Sequence, residues 1–138
     1  MIVTHRIAIV VDSTLPLGLL ANTVATIAIG LGAAVPAFGN TILIDSNGRS
    51  IHNSADRPVP ILQASAEAIR VLLLKALPAP EGARLVPFLQ FARSLHSFTD
   101  YREQFPTRDL AVETIEGLGL AGPEKWVKSL TGNLRLLR

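Results

Sequence analysis

Asp12, Ser13, Thr14 and Asn22 lie at and just beyond the end of an apolar run, and a second polar group, His96, Ser97, Thr99 and Asp100, follows another. A carboxylate, two hydroxyls and a carboxamide where a strand hands over to a helix can hold a small ligand. The free N–H groups of the helix start attract an anion, and Asp12 can accept from a ligand hydroxyl or amine. The same residues also serve ordinary turn and capping chemistry, which needs no ligand. In the second group the types of a nucleophilic triad are present. Triads, however, are assembled from separated segments, so adjacency argues for a solvated loop and for capping by Thr99. His96 stays a candidate because its loop is expected on the sheet edge that carries Asp12. Lys125 and Lys128, with Arg135 and Arg138, form an acid-free basic end that can touch phosphate or stand in water. His5, His52 and His96 lack metal-ligand spacing and cysteine is absent, so no metal and no cofactor are expected.

The elements that must position these groups follow from periodicity. Ile7 to Val11 is a β-branched run that reads as a strand buried on both faces. Ser13 to Pro16 supplies a helix start, and Leu17 to Leu31 reads as a helix with Leu20, Val24, Ile27, Ala28 and Leu31 on its core face. Thr41 to Asp45 and Arg49 to His52 flank an Asn47-Gly48 pair, the signature of a hairpin with a type I′ turn. Val59 to Gln63 reads as a strand. Ser65 caps a helix over 66–77, with Ile69, Leu72, Leu73, Ala76 and Leu77 as its apolar stripe. Leu85 to Phe91 is a strand that Pro87 confines to an edge or a bulge. Thr99 starts a short helix through Phe105, and a further helix runs from Pro106 to a stop at Gly117. Leu118 to Gly122 is a buried strand, Pro123 opens the last helix, Gly132 closes it, and Trp126 anchors it on the sheet. Gly30 and Gly32 mark a helix end, not a phosphate loop. The order predicts an α/β fold, one three-layer domain over 1–138 with a mixed β-sheet flanked by helices.

Composition narrows the classes. Hydrophobic residues make up 49% and charged residues 17% of 138, which excludes a disordered chain and points to a large core or an apolar, dimeric surface. A homodimer is expected. Without cysteine there is neither a disulfide framework nor thiolate chemistry, and a cytoplasmic location is the default. Net charge is only +2, so nucleic-acid binding would require clustering of the basic residues. No charged side chain occurs between Asp12 and Asp45. Asn22, Thr23, Thr26, Gly30 and Gly32 interrupt this stretch, Pro36 closes it, and Asp12 stands where a signal's apolar region should lie. It therefore reads as a helix of a folded core and not as a membrane span.

Two stretches carry a family resemblance. Gly119-Leu120-Ala121-Gly122-Pro123, followed by Leu130-Thr131-Gly132-Asn133-Leu134-Arg135-Leu136, resembles the carboxyl end of the archaeal and eukaryotic-type (type 2) peptidyl-tRNA hydrolases. The opening strand, acidic residue, loop and helix resemble theirs as well. More similar still is the domain of unknown function 2000 family, relatives of that fold, with an Asn-containing first helix (here Asn22) and the ending Leu130 to Arg138. The resemblance implies the hydrolase-like fold. It does not carry the activity over: where type 2 hydrolases have Gly-Lys-Gly-Lys and a later His, this chain has Gly18 to Ala28 with neither lysine nor histidine, and their Asp-Ala-Gly loop has no counterpart around Leu95 to Asp100. Ester hydrolysis on tRNA needs a cation beside the developing oxyanion and attraction for phosphates.

Two functions are therefore expected. The first is binding of a small ligand or partner between the first strand–helix loop and the 95–100 loop. The alternative is a divergent hydrolase of peptidyl- or aminoacyl-tRNA esters that uses Asp12 or Asp100 with His96, and only under that alternative is tRNA a partner.

Overall fold

The structure, a computed structural model, describes residues 5–138. Its centre is β1 (His5–Val11), whose Ile7 and Ile9 point to one face of the sheet and Ala8 and Val10 to the other. Both faces are covered, which is why the run is apolar without alternation. Five strands stand in the order β5 (Arg84–Leu89), β6 (Ile115–Pro123), β1, β4 (Ile61–Gln63), β7 (Arg135–Leu136). β4 is parallel to β1, with Ile9 opposite Ile61. β6 is antiparallel to it, from His5 opposite Pro123 to Val11 opposite Gly117. The sheet is thus mixed, and the protein is α/β. β5 lies at one edge with Pro87 in it, a place where a missing N–H is tolerated.

Helix α1 (Leu17–Ala34) covers one face, where Ile27 and Leu31 meet Ile7, Ile9, Phe38 and Ala121. Gly117 and Gly119 let it come close. A Cβ on Gly119 would stand 2.9 Å from Leu31 Cδ1, and one on Gly117 would stand 2.7 Å from Thr23 Cγ2. Helices α2 (Ala66–Ala76) and α4 (Glu124–Thr131) cover the other face, burying Ile69, Leu73, Val127 and Leu130 against Val10, Leu118 and Leu120. Ser65 caps α2 by accepting from the Ala68 N–H at 3.1 Å. Trp126 packs at Gly122, where a Cβ would lie 2.9 Å from its ring.

Several expectations are corrected. Ser13 and Thr14 do not cap α1. Pro16 is its N-cap residue and no side chain caps it: Ser13 and Thr14 stand ahead of the cap position, where the Thr14 hydroxyl and N–H donate to the Asp12 carboxylate. The residues of α1 buried on the sheet are Thr23, Ile27 and Leu31. Leu20 and Val24 are half-buried, and Ala28 is exposed. With only one helix on that face, its outer side meets nothing among the described residues. By length and composition α1 could cross a membrane. In this fold it lies on the sheet.

The hairpin of β2 (Ile42–Ile44) and β3 (Ser50–His52) forms as expected, but its turn is not type I′. Gly48 alone has a positive φ (+80°), and Asp45 Oδ1 organises the loop by accepting from the N–H groups of Asn47 (2.9 Å) and Arg49 (2.8 Å). Nor does the hairpin face a core: every residue from 41 to 52 is exposed.

Beyond β5 the helix expected over 106–117 is absent. A short 3-10 turn (Phe105–Thr107) is followed by turns, and Ile115 to Gly117 belong to β6. Helix α3 (Phe98–Gln104) is capped by Ser97, whose Oγ accepts from the Asp100 N–H at 3.2 Å, and not by Thr99.

Candidate functional site

The carboxyl end of β1 lies beside the amino end of β6, and the Asp12 N–H donates to the Glu116 carbonyl at 3.0 Å. There the pairing of β5 with β6 slips. Phe88 is opposite Gly117, Leu89 is opposite Ile115, and Glu116 is the extra residue. Such a bulge re-aims a side chain. Ile115 keeps its place in the core under α2, while Glu116 turns toward α1.

The Glu116 residue is only 5% exposed, so its charge needs a partner. Arg93 supplies one from the 3-10 turn over Gln90–Ser94: its Nε donates to Glu116 Oε1 at 2.8 Å and its Nη2 to Thr23 Oγ1 at 2.6 Å. Thr23, fully buried in α1, donates in turn to the Leu19 carbonyl at 2.7 Å. The guanidinium lies over the Phe88 ring, 4.5 Å from its centroid. One cation thus ties together α1, the end of β5 and the bulge of β6.

Beside this brace opens a cleft of about 440 Å³ lined by Thr26, Pro87, Phe88, Leu89, Ala92, Leu95, His96, Ser97, Phe98 and Tyr101. Its walls are apolar and aromatic. Tyr101 stacks on Phe91 with centroids 5.3 Å apart and also meets Phe98 and Phe105, and burial pushes its phenol above the ordinary value of 10.0. Polar groups in the lining keep capacity for a ligand. The Thr26 hydroxyl donates to the Asn22 carbonyl at 2.7 Å and can still accept. The Ser97 hydroxyl accepts from Asp100 N–H and can still donate. His96 is exposed and has no hydrogen-bond partner among the described residues.

The residues singled out from sequence divide into four places. His96 lines the cleft and Asn22 sits one helical turn before Thr26, with its side chain in solvent. Asp12, Ser13 and Thr14 stay together at the top of β1, but Asp12 Oδ1 is committed to Thr14, accepting from its N–H at 3.0 Å and its hydroxyl at 2.7 Å. Thr99 and Asp100 lie in the first turn of α3, outside the cleft lining. Lys125 and Lys128 are on α4, across the sheet. Lys128 pairs with Glu124 at 2.8 Å and borders a separate groove between α2 and α4. Sequence reasoning missed Glu116 and Arg93, and read Thr23 only as a polar interruption of the first helix. The available signals were the single acid in an otherwise apolar β6 and a threonine one turn before Ile27 on the inward face of α1.

The sequence profile of the family described as "Protein of unknown function (DUF2000)" matches residues 5–138. This chain belongs to the DUF2000 family. A solved structure of the protein of unknown function Atu0240 from Agrobacterium tumefaciens strain C58 superimposes on this DUF2000 chain with a TM-score of 0.85, at 17% identity, over 96% of each chain. At that identity the likeness is one of fold. Among curated proteins none matches the chain. In this DUF2000 protein, no group of three His, Cys, Asp or Glu side chains among the described residues could hold a metal ion.

Proposed function

We propose that this DUF2000 protein binds a small, largely apolar organic molecule in the cleft between α1 and the 89–98 segment. The observation that carries the reading is the cleft itself, with aromatic walls at Phe88, Phe98 and Tyr101 and polar groups on Thr26, His96 and Ser97 in its lining. Ligand sites are typically apolar pockets of this size with a few placed polar groups. The Arg93 brace supports it, because it fixes the wall at Phe88 before any ligand arrives. The scaffold remains similar to that of type 2 peptidyl-tRNA hydrolases on the resemblance of its opening and ending. The hydrolase alternative has less support. Asp12 is engaged by Thr14, no lysine lines the cleft, and Lys128 lies on the other side of the sheet.

The test is thermal melting against a library of small aromatic and aliphatic compounds. A ligand at 100 times its Kd should stabilise the fold by about 2.7 kcal/mol. A true cleft ligand loses its shift in Leu95→Trp, which fills the space, and in Phe98→Ala, which opens a wall. If no compound raises the melting temperature, or if hits act equally on both variants, the reading fails.

A further inference from the structure

The outer side of α1 and the β2–β3 arm expose large apolar side chains that the rest of the fold does not cover: Leu17 is 82% exposed, Ile29 73% and Ile44 69%, with Ile42, Leu43 and Ile51 close behind. Ile42 and Ile44 lie on one face of the arm and Leu43 and Ile51 on the other, so α1 together with either face presents roughly 450–500 Å², the size of the largest apolar patch on a monomer, which is often an interaction site. A two-stranded hairpin with both faces in water is marginal by itself, so the arm needs a surface to lie on.

Three observations select a second copy of this chain as that surface. From Ser13 to Ile44 there is no ionisable side chain, so the face meets its own copy without like-charge repulsion and offers a charged partner nothing to pair with. The outward residues of α1 are also self-complementary about Ala25: Gly18 and Gly32 lie seven residues to either side, and the small Ala21 and the large Ile29 lie four to either side. An antiparallel pair of such helices, related by a two-fold axis at Ala25, sets Gly18 against Gly32 and gives the large Ile29 of one copy the small Ala21 of the other to pack on. Thirdly, the arm leaves from the carboxyl end of α1. In an antiparallel pair that end lies over the start of the other helix, where Leu17 stands uncovered. The root of the arm is held firmly enough to present it: Arg57 donates to the His5 carbonyl at 3.0 Å, pairs with Asp56 at 2.7 Å and lies over Phe38. A bilayer fits this face less well, because the tip of the arm is Asp45-Ser46-Asn47-Gly48-Arg49 with an Arg49–Asp45 ion pair.

We infer that the exposed face of α1 and the β2–β3 arm form a two-fold homodimer interface, in which the α1 helices cross antiparallel at Ala25 and each arm packs around the partner's Leu17.

The chain has no cysteine, so single cysteines report the geometry directly. Ala25→Cys should oxidise to a covalent dimer, whereas Ala33→Cys should not, its two copies standing ~24 Å apart along the helices at 1.5 Å per residue. Ultracentrifugation should show a dimer of two 14.8 kDa chains. Ala25→Arg, at an exposed position that leaves the fold intact, should give a monomer. Ile44→Glu should weaken association at least tenfold, and Val71→Arg, on the exposed side of α2, should leave the dimer intact. A chain that stays monomeric at 100 µM overturns the inference. So does a dimer that survives Ala25→Arg, a failure of Ala25→Cys to cross-link, or a monomer that co-sediments with anionic phospholipid vesicles.

Discussion

Arg93 is the side chain on which the wall of the cleft depends, and Arg93→Ala measures how much. The substitution removes the partner of a carboxylate whose side chain is 7% exposed. An uncompensated buried charge of this kind costs about 3–5 kcal/mol. Loss of the guanidinium over Phe88 adds about 0.5–1 kcal/mol. Thr23 limits the damage, since its hydroxyl keeps the Leu19 carbonyl as a partner. Arg93 itself is a fifth exposed, so water entering the vacated space hydrates Glu116 in part and holds the total near the lower end of the range. At about 3 kcal/mol, a chain of this length should melt roughly 10 °C lower. Calorimetry or a urea titration on the wild type and on Arg93→Ala reads this directly. The pairing itself is isolated by the second half of a double-mutant cycle. Arg93→Met combined with Glu116→Leu removes both charges and should recover most of the loss, because apolar replacement of a buried pair is often neutral. Should Arg93→Ala cost less than about 1 kcal/mol, or the double variant be worse than the sum of the singles, the brace is not what holds α1 to the bulge of β6.

Gly119→Ala forces a methyl group into Ile27 and to 2.9 Å from Leu31 Cδ1, so α1 must lift and stability should fall by about 1–3 kcal/mol in chemical denaturation. Ser65→Ala removes the acceptor of the Ala68 N–H and should cost about 1 kcal/mol in the same assay, with early hydrogen exchange confined to the first turn of α2. Tyr101 is the single tyrosine, so the phenolate absorbance titrates one residue, and its midpoint should lie above 10.0 because burial disfavours the charged form. The sign for stability follows: the neutral phenol is favoured in the folded state, its contribution is complete below the unfolded value, and it is lost as pH rises through the folded one. A midpoint at or below 10.0 would mean that the ring stack beside the cleft is open to water.

What the sequence determined by itself was local. The β-branched run at 7–11, Ser65 ahead of an amphipathic stretch, Pro87 at an edge and the Pro123 to Gly132 helix are all written in the residues that form them, because propensity, capping and proline chemistry act within one turn or one strand. The mixed sheet followed from the order of those elements. Where non-local contacts decide, the residues alone mislead. The spacing over 106–117 reads as a helix, yet Ile115 pairs with β5 and Gly117 with both β1 and β5, since a central strand gains more from burial on two faces than a short helix gains from propensity. The hydroxyls expected to cap α1 lie ahead of its N-cap, Pro16, and Thr14 folds back on Asp12 instead, a boundary visible only in the folded chain. The bulge that turns Glu116 toward Arg93 and Thr23 exists because β5 and β6 slip by one residue between Phe88 and Leu89, a register no single strand records. Burial of α1 was likewise undecided by its composition, for an apolar helix is covered on as many sides as the fold provides, and here it provides one.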